Sequence, residues 1–277
     1  MTQARGIDDA VTVRGDVGET PEVSVFTPLR VEKTSFTDAV VGEGRAVSSE
    51  QQPLTLELAL YSGETGDQIV ATDFKGDLSS VATVDFWAQR IPGLDSVLEC
   101  ATVGSRIVAA LSPEDASAAP ALTGFGISDD ETVVFVIDVL QAFLPRAEGA
   151  LQFNDARGLP TVVRAPDGTP GVIIPKGPEP EKQVVQTLIK GEGDVVKEDS
   201  TVWVNYTAVG WDDKQVLGST WGDAPTSQLA NQVPVVAEAL VGKTVGSQVL
   251  VTLPGAETSP AVAVVVDILG ITPDESE

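Results

Sequence analysis

This sequence lacks the side chains on which histidine-dependent hydrolases and histidine metal sites rely. Histidine is absent, and Cys100 is the only cysteine among 277 residues. Without histidine there is no Ser-His-Asp or Cys-His arrangement, no histidine zinc site and no usual general base near neutral pH. Cys100 has no intramolecular disulfide partner, and its place in the apolar stretch "LDSVLECA" predicts a packed thiol rather than a nucleophile. We therefore expect no metal and no cofactor.

The charge of the chain excludes another class of function. There are 41 acidic and 17 basic residues, which gives a formal net charge of -24. Such a surface repels phosphate backbones and anionic lipid headgroups, so nucleic acid is not an expected partner. The sequence also has no run of about 18 apolar residues, so we predict no transmembrane segment.

The sequence segments that would position a functional site occur twice along the chain. Five matched pairs keep their order while the offset between partners falls from 150 to 129 residues: Val13 with Val163, Gly42 with Gly191, Leu54 with Val202, Gly104 with Gly246, and Asp138 with Asp267. Ordered matches with a shrinking offset indicate tandem copies of one domain, of which the second has lost loop residues. We predict module 1 at 11–146, a linker at 147–158, module 2 at 159–272 and a frayed acidic tail at 273–277.

Each copy reads mostly as β-structure. Alternating runs around Gly, Pro and Asp, such as "VTVRGDVGETPEVSV", predict hairpins, and continuously apolar runs such as "AVAVVVDIL" predict central strands covered on both faces. One helical stretch occurs in each copy, "GLDSVLEC" in the first and "VVAEALVG" in the second. The predicted fold class is α+β, with two tandem modules, each an antiparallel sheet with one short helix packed across it.

Several segments resemble the FKBP-type peptidyl-prolyl cis-trans isomerases. In the second copy, "VWVNYTA" is similar to a strand of that family, and "QVPVVAEALVGKTVGSQVLVTLP" is similar to its helix and following strand. In the first copy, "QRIPGLDSVLECATVGSRIVAALSPEDA" resembles the same helix segment, and "GISDDETVVFVIDVL" resembles the closing strand. The whole layout looks like the two-module FKBP-type exported lipoproteins of high-GC Gram-positive bacteria. The resemblance implies a curled sheet wrapped on a short helix, with a ligand pocket between them.

The activity implied by this resemblance needs none of the side chains that the sequence lacks. Rotation about a peptide bond has a barrier of roughly 18 to 20 kcal/mol, and X-Pro bonds are those with a populated cis form. A catalyst only has to bind the twisted amide better than the planar one, and an apolar, water-poor pocket does so because the twisted amide has lost its resonance dipole. We therefore predict no nucleophile, metal or titrating base.

The resemblance also assigns substrate-binding positions, and several of them depart from the family pattern. Tyr206 stands at the family's strand tyrosine, while leucine, glycine and valine replace the Phe-Asp pair and the floor tryptophan. The predicted pocket of the second copy consists of Tyr206, Leu217, Trp221, Val233 and Val236. That of the first copy consists of Leu58, Ile69, Ile91, Leu94, Phe125 and Ile127. Tyr61 lies nearby but falls outside the ungapped 148-residue register, and it is left out. For Tyr206 and Trp221, ordinary packing on a strand remains the alternative.

Two functions stay open at this point. The first is a peptidyl-prolyl cis-trans isomerase that assists protein folding, weak because the pocket has lost aromatic side chains. The second is a non-catalytic module that binds peptides or proteins, with a chaperone-like or envelope role on the same fold. Both predict proline-containing client segments as partners. The resemblance implies an extracytoplasmic or cell-envelope location, and a cytoplasmic one stays open.

Overall fold

The chain folds into two units, each with its own sheet. The computed structural model describes residues 7–78, 80–153, 157–222, 225–227, 229–257 and 259–272, so the predicted tail at 273–277 lies outside the described residues. Unit 1 is Met1–Phe143 and unit 2 is Leu144–Glu277. Each is an antiparallel sheet with short helices, which is the predicted α+β class.

Unit 1 is built from the first eight strands of the chain. Its elements are α1 (Ile7–Ala10), β1 (Val11–Arg14), β2 (Glu22–Val25), β3 (Ser35–Val40), β4 (Pro53–Ser62), β5 (Gln68–Ala71), β6 (Val81–Thr83), α2 (Val84–Arg90), α3 (Leu94–Leu98), β7 (Arg106–Leu111), α4 (Pro113–Ser117), a 3-10 turn (Pro120–Leu122) and β8 (Val133–Ala142). The sheet runs β3-β7-β8-β4-β5, with β6 paired to the start of β4. The predicted helix in "GLDSVLEC" is α3, and α2 is an addition that the sequence interpretation lacked.

Both faces of the unit 1 sheet are covered, because successive residues of a strand point to opposite faces. Leu54, Leu56, Leu58 and Leu60 of β4 all contact the helix-side core. Ala59 and Tyr61 of the same strand belong to the core on the opposite face, where the valines of the hairpin β1–β2 pack. This explains why β8 is buried over most of its length, as its continuous apolar sequence predicted.

Unit 2 repeats this plan with shorter connections. Its elements are β9 (Ala150–Leu151), β10 (Thr161–Arg164), β11 (Pro170–Ile173), β12 (Val184–Lys190), β13 (Thr201–Gly210), β14 (Val216–Ser219), α5 (Leu229–Gln232), α6 (Pro234–Glu238), β15 (Gln248–Leu253) and β16 (Val262–Thr272). The sheet runs β14-β13-β16-β15-β12-β9, and the hairpin β10–β11 packs on one face. Strand β9, which lies within the predicted linker 147–158, forms a short edge against β12.

The repeat found in the sequence holds at the level of single hydrogen bonds. In unit 1, the Thr72 N–H donates to the Leu58 carbonyl at 2.9 Å, and the Leu58 N–H donates to Thr72 Oγ1 at 3.0 Å. In unit 2, Thr220 and Tyr206 make the same two bonds at 3.1 and 3.0 Å. The offset is 148 for both partners, so Leu58 and Tyr206 occupy equivalent places in their sheets.

The repeated "GEG" segment marks a place where backbones cross too closely for a side chain. A Cβ added to Gly42 would lie 2.2 Å from the Val103 carbonyl oxygen, and one added to Gly191 would lie 2.1 Å from the Val245 carbonyl oxygen. Neither glycine has a positive φ, so the close approach, not the backbone conformation, requires glycine here.

The helices are short and locally capped. Helix α2 begins at the Thr83 side chain, which accepts from the Phe86 N–H at 3.1 Å, and Arg90 in its last turn lies over the Phe86 ring, 3.5 Å from the centroid. None of the described helices is long and apolar enough to span a bilayer.

Candidate functional site

In unit 1, most of the predicted pocket residues meet between the sheet and helix α3. Ile91 and Leu94 are buried in the helix-side core, and Leu58, Ile69 and Ile127 pack against it while staying partly exposed. Two buried side chains thus form a floor, and three partly exposed ones form a rim. The arrangement is an apolar surface that a hydrophobic ligand can contact.

Ile69 reaches this rim because β5 carries a bulge. Leu60 pairs with Val70 and Tyr61 pairs with Gln68, so Ile69 is the extra residue on its strand. A bulge re-aims the side chain of the extra residue, and here it turns Ile69 onto the helix-side core. Val70, the next residue, is exposed and apolar, so no carboxylate stands where the family has one.

Trp87 is a wall residue that the sequence interpretation missed. It lies on α2, packs against the same core while partly exposed, and contacts Phe86 edge to face at a centroid distance of 5.6 Å. Its indole N–H is buried without a hydrogen-bond partner among the described residues. Trp87 stands four residues before Ile91, which is the C-cap residue of α2.

Two aromatic residues of unit 1 lie outside the helix-side core. Tyr61 is buried in the hairpin-side core, on the sheet face opposite Leu58. Phe125 is 44% exposed and does not belong to either unit 1 core cluster, whereas Ile127 two residues later packs against the helix-side core. The structure therefore brings together five of the six predicted residues.

In unit 2, three predicted residues meet. Val236 of helix α6 is buried in the core, and Tyr206 and Val233 pack against that core while partly exposed. A Cβ added to Gly218 would lie 3.6 Å from the Tyr206 hydroxyl oxygen, so the absence of a side chain at Gly218 leaves room beside the phenol. Within the described part of the chain, the Tyr206 hydroxyl makes no hydrogen bond and is free to donate to a ligand.

The other two predicted residues of unit 2 lie elsewhere. Leu217 sits at the same bulge position as Ile69, but its side chain is 51% exposed and does not join the helix-side core. Trp221 points to the hairpin: its Cη2 atom lies 3.3 Å from where a Cβ on Gly168 would be, beside the Arg146 side chain. Unit 2 therefore has a smaller apolar rim than unit 1.

Each unit also buries one carboxylate at the same strand position. In unit 1, Arg106 and Asp138 form a buried ion pair, with the Arg106 Nε and Nη2 each 2.6 Å from an Asp138 oxygen. Arg106 also donates to the carbonyls of Gly15, Asp16 and Glu19 in the β1–β2 hairpin at 2.7 to 2.8 Å. One guanidinium therefore connects the sheet to the hairpin that covers it.

In unit 2, the equivalent acid has a neutral neighbour. Gln248, which replaces Arg106, donates from Nε2 to Asp267 at 2.7 Å and accepts from Arg164 of the hairpin at 2.6 and 3.0 Å. The Ala147 N–H donates to the other Asp267 oxygen at 2.8 Å. Burial raises the pKa of Asp267 to about 6, because the low-polarity interior disfavours the carboxylate more than these hydrogen bonds stabilise it.

These carboxylates lie on the hairpin side of the sheets and do not reach the apolar pockets. Among the described residues, no three His, Cys, Asp or Glu side chains are grouped as a metal site would require. The surfaces between sheet and helix can therefore offer apolar contact and, in unit 2, one phenol hydroxyl.

Comparison with known proteins finds similarity to FK506-binding proteins. No family model matches the chain. The chain is 31% identical over 87 residues to the "Probable FK506-binding protein" of Corynebacterium glutamicum, which covers 31% of this chain and 74% of that protein. Among solved structures, the three FKBP domains of wheat FKBP73 match 87% of this chain and 95% of their own, at 11% identity and a TM-score of 0.36. The N-terminal domain of FKBP42 from Arabidopsis thaliana matches 46% of this chain and 98% of its own, at 15% identity and a TM-score of 0.34.

Each unit is a sheet with helices on one face and an apolar surface between that sheet and its helices, so the chain is a tandem of FKBP-like modules. The chain belongs to the FK506-binding protein family, on the strength of the Corynebacterium glutamicum relative. The resemblance stated from the sequence is thereby confirmed at the level of the family.

Proposed function

We propose that this protein binds proline-containing segments of other polypeptides and weakly accelerates the cis-trans isomerisation of their X-Pro bonds, chiefly in unit 1. The observation that carries the proposal is the apolar rim of Leu58, Ile69, Trp87 and Ile127 above a buried floor. A prolyl ring is apolar and rigid, so such a rim matches its shape and removes water from the adjoining amide.

The surface would act by preferring the twisted amide. The planar amide carries a resonance dipole that water solvates well, and the twisted amide carries a smaller one. A surface that displaces water without offering many hydrogen bonds therefore favours the twisted form, which lowers the barrier. In unit 2, the free hydroxyl of Tyr206 can donate to a carbonyl of the bound segment.

Weak turnover is expected because the pocket lacks two kinds of side chain. Leu94 and Val236 stand where the family has a floor tryptophan, and both are 0% exposed. An aromatic ring buries about 150 to 250 Å², so an aliphatic floor contacts a prolyl ring over a smaller area. Val70 and Gly218 stand where the family has a carboxylate.

The second candidate function is non-catalytic binding of extended segments at the same surfaces. It is favoured by the exposure of Leu217 in unit 2, which leaves that pocket without one wall. The two candidates differ in one respect, since a binding module retains a client without changing its rate of proline isomerisation.

The test is the proline-limited refolding of a model protein over a range of concentrations of the full chain. We expect a saturable acceleration. An unchanged refolding rate, together with binding of the unfolded substrate, would leave only the non-catalytic candidate.

A matched pair of variants locates the activity. Ile69→Ala removes a rim contact in unit 1, and Leu217→Ala changes the equivalent, exposed bulge residue in unit 2. Loss of about 1.4 kcal/mol of contact corresponds to a tenfold change in rate, so we expect kcat/KM to fall by up to about tenfold for Ile69→Ala. Leu217→Ala should leave it unchanged, and equal effects would remove the assignment to unit 1.

The location of the protein is also a proposal, supported only by the layout shared with exported two-module lipoproteins. We propose a cell-envelope location, in which the clients would be exported polypeptides. Fractionation of cells of the native host tests this, and recovery of the protein in the cytosol alone would contradict it.

A further inference from the structure

The end of helix α2 places a cation beside the apolar pocket of unit 1. Arg90 is the last residue of α2 and is exposed, and the next residue, Ile91, is buried in the pocket floor. Trp87 on the pocket rim lies three residues before Arg90 in the same helix, a spacing that makes the two residues neighbours on its surface. The guanidinium of Arg90 therefore lies next to the surface that would bind a client segment.

A stack of side chains positions this guanidinium. Its carbon lies 3.5 Å from the centroid of the Phe86 ring, and that ring meets Trp87 edge to face with the centroids 5.6 Å apart. The Arg90 Nη1 also donates to the Phe86 carbonyl at 3.4 Å, at the C-terminal end of the helix, where the helix dipole favours a cation. These contacts hold the guanidinium against α2, with the Phe86 ring between it and Trp87.

The guanidinium keeps most of its hydrogen-bonding capacity for a ligand. It has five N–H groups, and in the described part of the chain the bond to Phe86 is the only one that it makes. None of the ion pairs among the described residues includes Arg90. Asp85, the acidic residue of α2, accepts from the Gln89 side chain at 2.7 Å instead. A carboxylate can therefore approach Arg90 and accept two hydrogen bonds from it.

Unit 2 has the same backbone arrangement at this point but a neutral side chain. The N–H that follows the helix donates to the carbonyl four residues before it at 2.8 Å, in unit 1 at Ile91 and in unit 2 at Val233. The preceding residue is Arg90 in unit 1 and Gln232, the last residue of α5, in unit 2. The two pockets therefore differ at this equivalent position by a positive charge.

We propose that Arg90 makes unit 1 select proline-containing segments that carry an acidic residue next to the proline, whose carboxylate pairs with the guanidinium. This inference rests on the proposed function, because it names the class of segment that the same pocket takes. Neighbouring Cα atoms of a chain are about 3.8 Å apart, so a carboxylate next to the proline stays within reach of a side chain that adjoins the pocket. The net charge of -24 repels acidic segments from the chain as a whole, so a preference for them requires a local cation.

The experiment compares two pairs of capped peptides that differ by one charge. Acetyl-Ala-Glu-Pro-Phe-amide and its Gln equivalent place the charge before the proline, and acetyl-Ala-Leu-Pro-Glu-amide and its Gln equivalent place it after. The isotope-labelled full chain is titrated with each peptide, and the shifts of the Ile69 methyl groups give the dissociation constants. We expect the Glu peptide of at least one pair to bind about two- to fivefold more tightly at low ionic strength, since the ion pair is exposed. Equal or weaker binding of the Glu peptide in both pairs would overturn the proposal.

Variants of the protein assign the preference to one side chain. Arg90→Gln copies unit 2 and should abolish the preference for the Glu peptide. Arg90→Lys keeps the charge but loses the planar guanidinium, so a smaller preference should remain. Arg14→Gln removes the same charge from strand β1 of the hairpin, on the other face of the sheet, and should leave the preference unchanged. A preference that survives Arg90→Gln, or that Arg14→Gln removes, would show that Arg90 does not select the segment.

Isomerisation is measured in the same samples, from the exchange between the cis and trans signals of each peptide, so that the two proposals can fail separately. Tighter binding of the Glu peptide without faster exchange would support the role of Arg90 and contradict the isomerase. Faster exchange of all four peptides with equal affinities would support the isomerase and overturn the role of Arg90. Absence of binding by all four peptides at millimolar concentration would contradict both.

Discussion

The two units hold the same buried acid by opposite arrangements of charge. In unit 1 the cation is on the sheet, where Arg106 binds Asp138 and three hairpin carbonyls. In unit 2 the cation is on the hairpin, where Arg164 reaches Asp267 only through the amide of Gln248. Both units therefore connect the hairpin to the sheet through a buried acid. The residue that supplies the positive charge differs between them, whereas the connection is kept.

The two units differ in the same way on their helix side. Unit 1 keeps the segment β6–α2, which pairs with β4 and places Trp87 on the pocket rim. Unit 2 has a shorter segment before helix α6, and the aromatic residue that packs against its helix-side core is Tyr206 of β13. The two modules therefore differ in the element that supplies an aromatic side chain to the helix-side core, which is α2 in unit 1 and β13 in unit 2.

The largest expected effect comes from removing the cation of unit 1. Arg106→Gln copies Gln248, while Arg14, the equivalent of Arg164, is exposed on the hairpin; Asp138 therefore keeps the Gly18 N–H at 2.7 Å but loses its buried cation. Loss of one member of a buried pair costs about 3 to 5 kcal/mol. Urea unfolding, followed by hydrogen exchange in peptides from β8, should show this loss in unit 1.

The control for this variant is Arg14→Gln, which changes the exposed arginine that is equivalent to Arg164. It should alter the free energy of unfolding by less than about 0.5 kcal/mol. A loss as large as that of Arg106→Gln would mean that hairpin charge in general, and not the buried pair, stabilises unit 1.

The next effect concerns pH and unit 2. Folded Asp267 holds its proton up to about pH 6, whereas an unfolded aspartate releases it near pH 3.8. Between pH 3.8 and about pH 6 the folded state binds more protons than the unfolded state. The stabilisation of unit 2 by Asp267 is therefore fully present below about pH 3.8 and is lost as the pH rises through 6. A tenfold change in proton affinity corresponds to about 1.4 kcal/mol. The protonated Asp267 side chain therefore contributes of the order of 3 kcal/mol to the free energy of unfolding.

Asp267→Asn cannot lose a proton, so it separates this effect from the other acidic residues. The free energy of unfolding of unit 2 in the unaltered chain, minus that in the variant, should fall as the pH is raised from 4 to 7.5. Urea titrations at several pH values measure this difference. A difference that is constant with pH would show that the buried acid is not protonated in the folded state.

A smaller effect is expected at the repeated close contact of the two units. Gly191→Ala places a Cβ 2.1 Å from the Val245 carbonyl oxygen, and overpacking of this kind costs about 1 to 3 kcal/mol. Gly42→Ala should behave alike in unit 1, because the two sites are equivalent. Gly177→Ala, where nothing lies within 4 Å of the added Cβ, is the control and should be close to neutral, as judged by thermal unfolding.

The sequence predicted the parts of the fold that depend on local pattern and on the repeat. The strands follow from alternating or continuous apolar residues, and the 148-residue register placed Leu58 and Tyr206 at equivalent sites. Helix α2 was missed because the apolar stretch "VATVDFWAQR" begins as a strand and turns into a helix at the cap residue Thr83. No periodicity marks that change.

Side-chain direction was the other feature that pattern did not determine. Ile69 and Leu217 share a bulge position, yet Ile69 packs on the core and Leu217 is exposed. Trp221 points to the hairpin at Gly168, which its place in the sequence did not predict. Arg106 and Asp138 lie 32 positions apart on neighbouring strands, so no local sequence motif predicts that they pair.

The central claim is that unit 1 provides the surface for proline-containing segments. The most direct measurement is a nuclear magnetic resonance titration of the isotope-labelled full chain with a short Ala-Leu-Pro-Phe peptide. We predict saturable shifts that are largest for the methyl groups of Leu58, Ile69 and Ile127 and for the Trp87 indole, with weaker shifts around Tyr206. Shifts confined to unit 2, or absent from both pockets at millimolar peptide, would contradict the account.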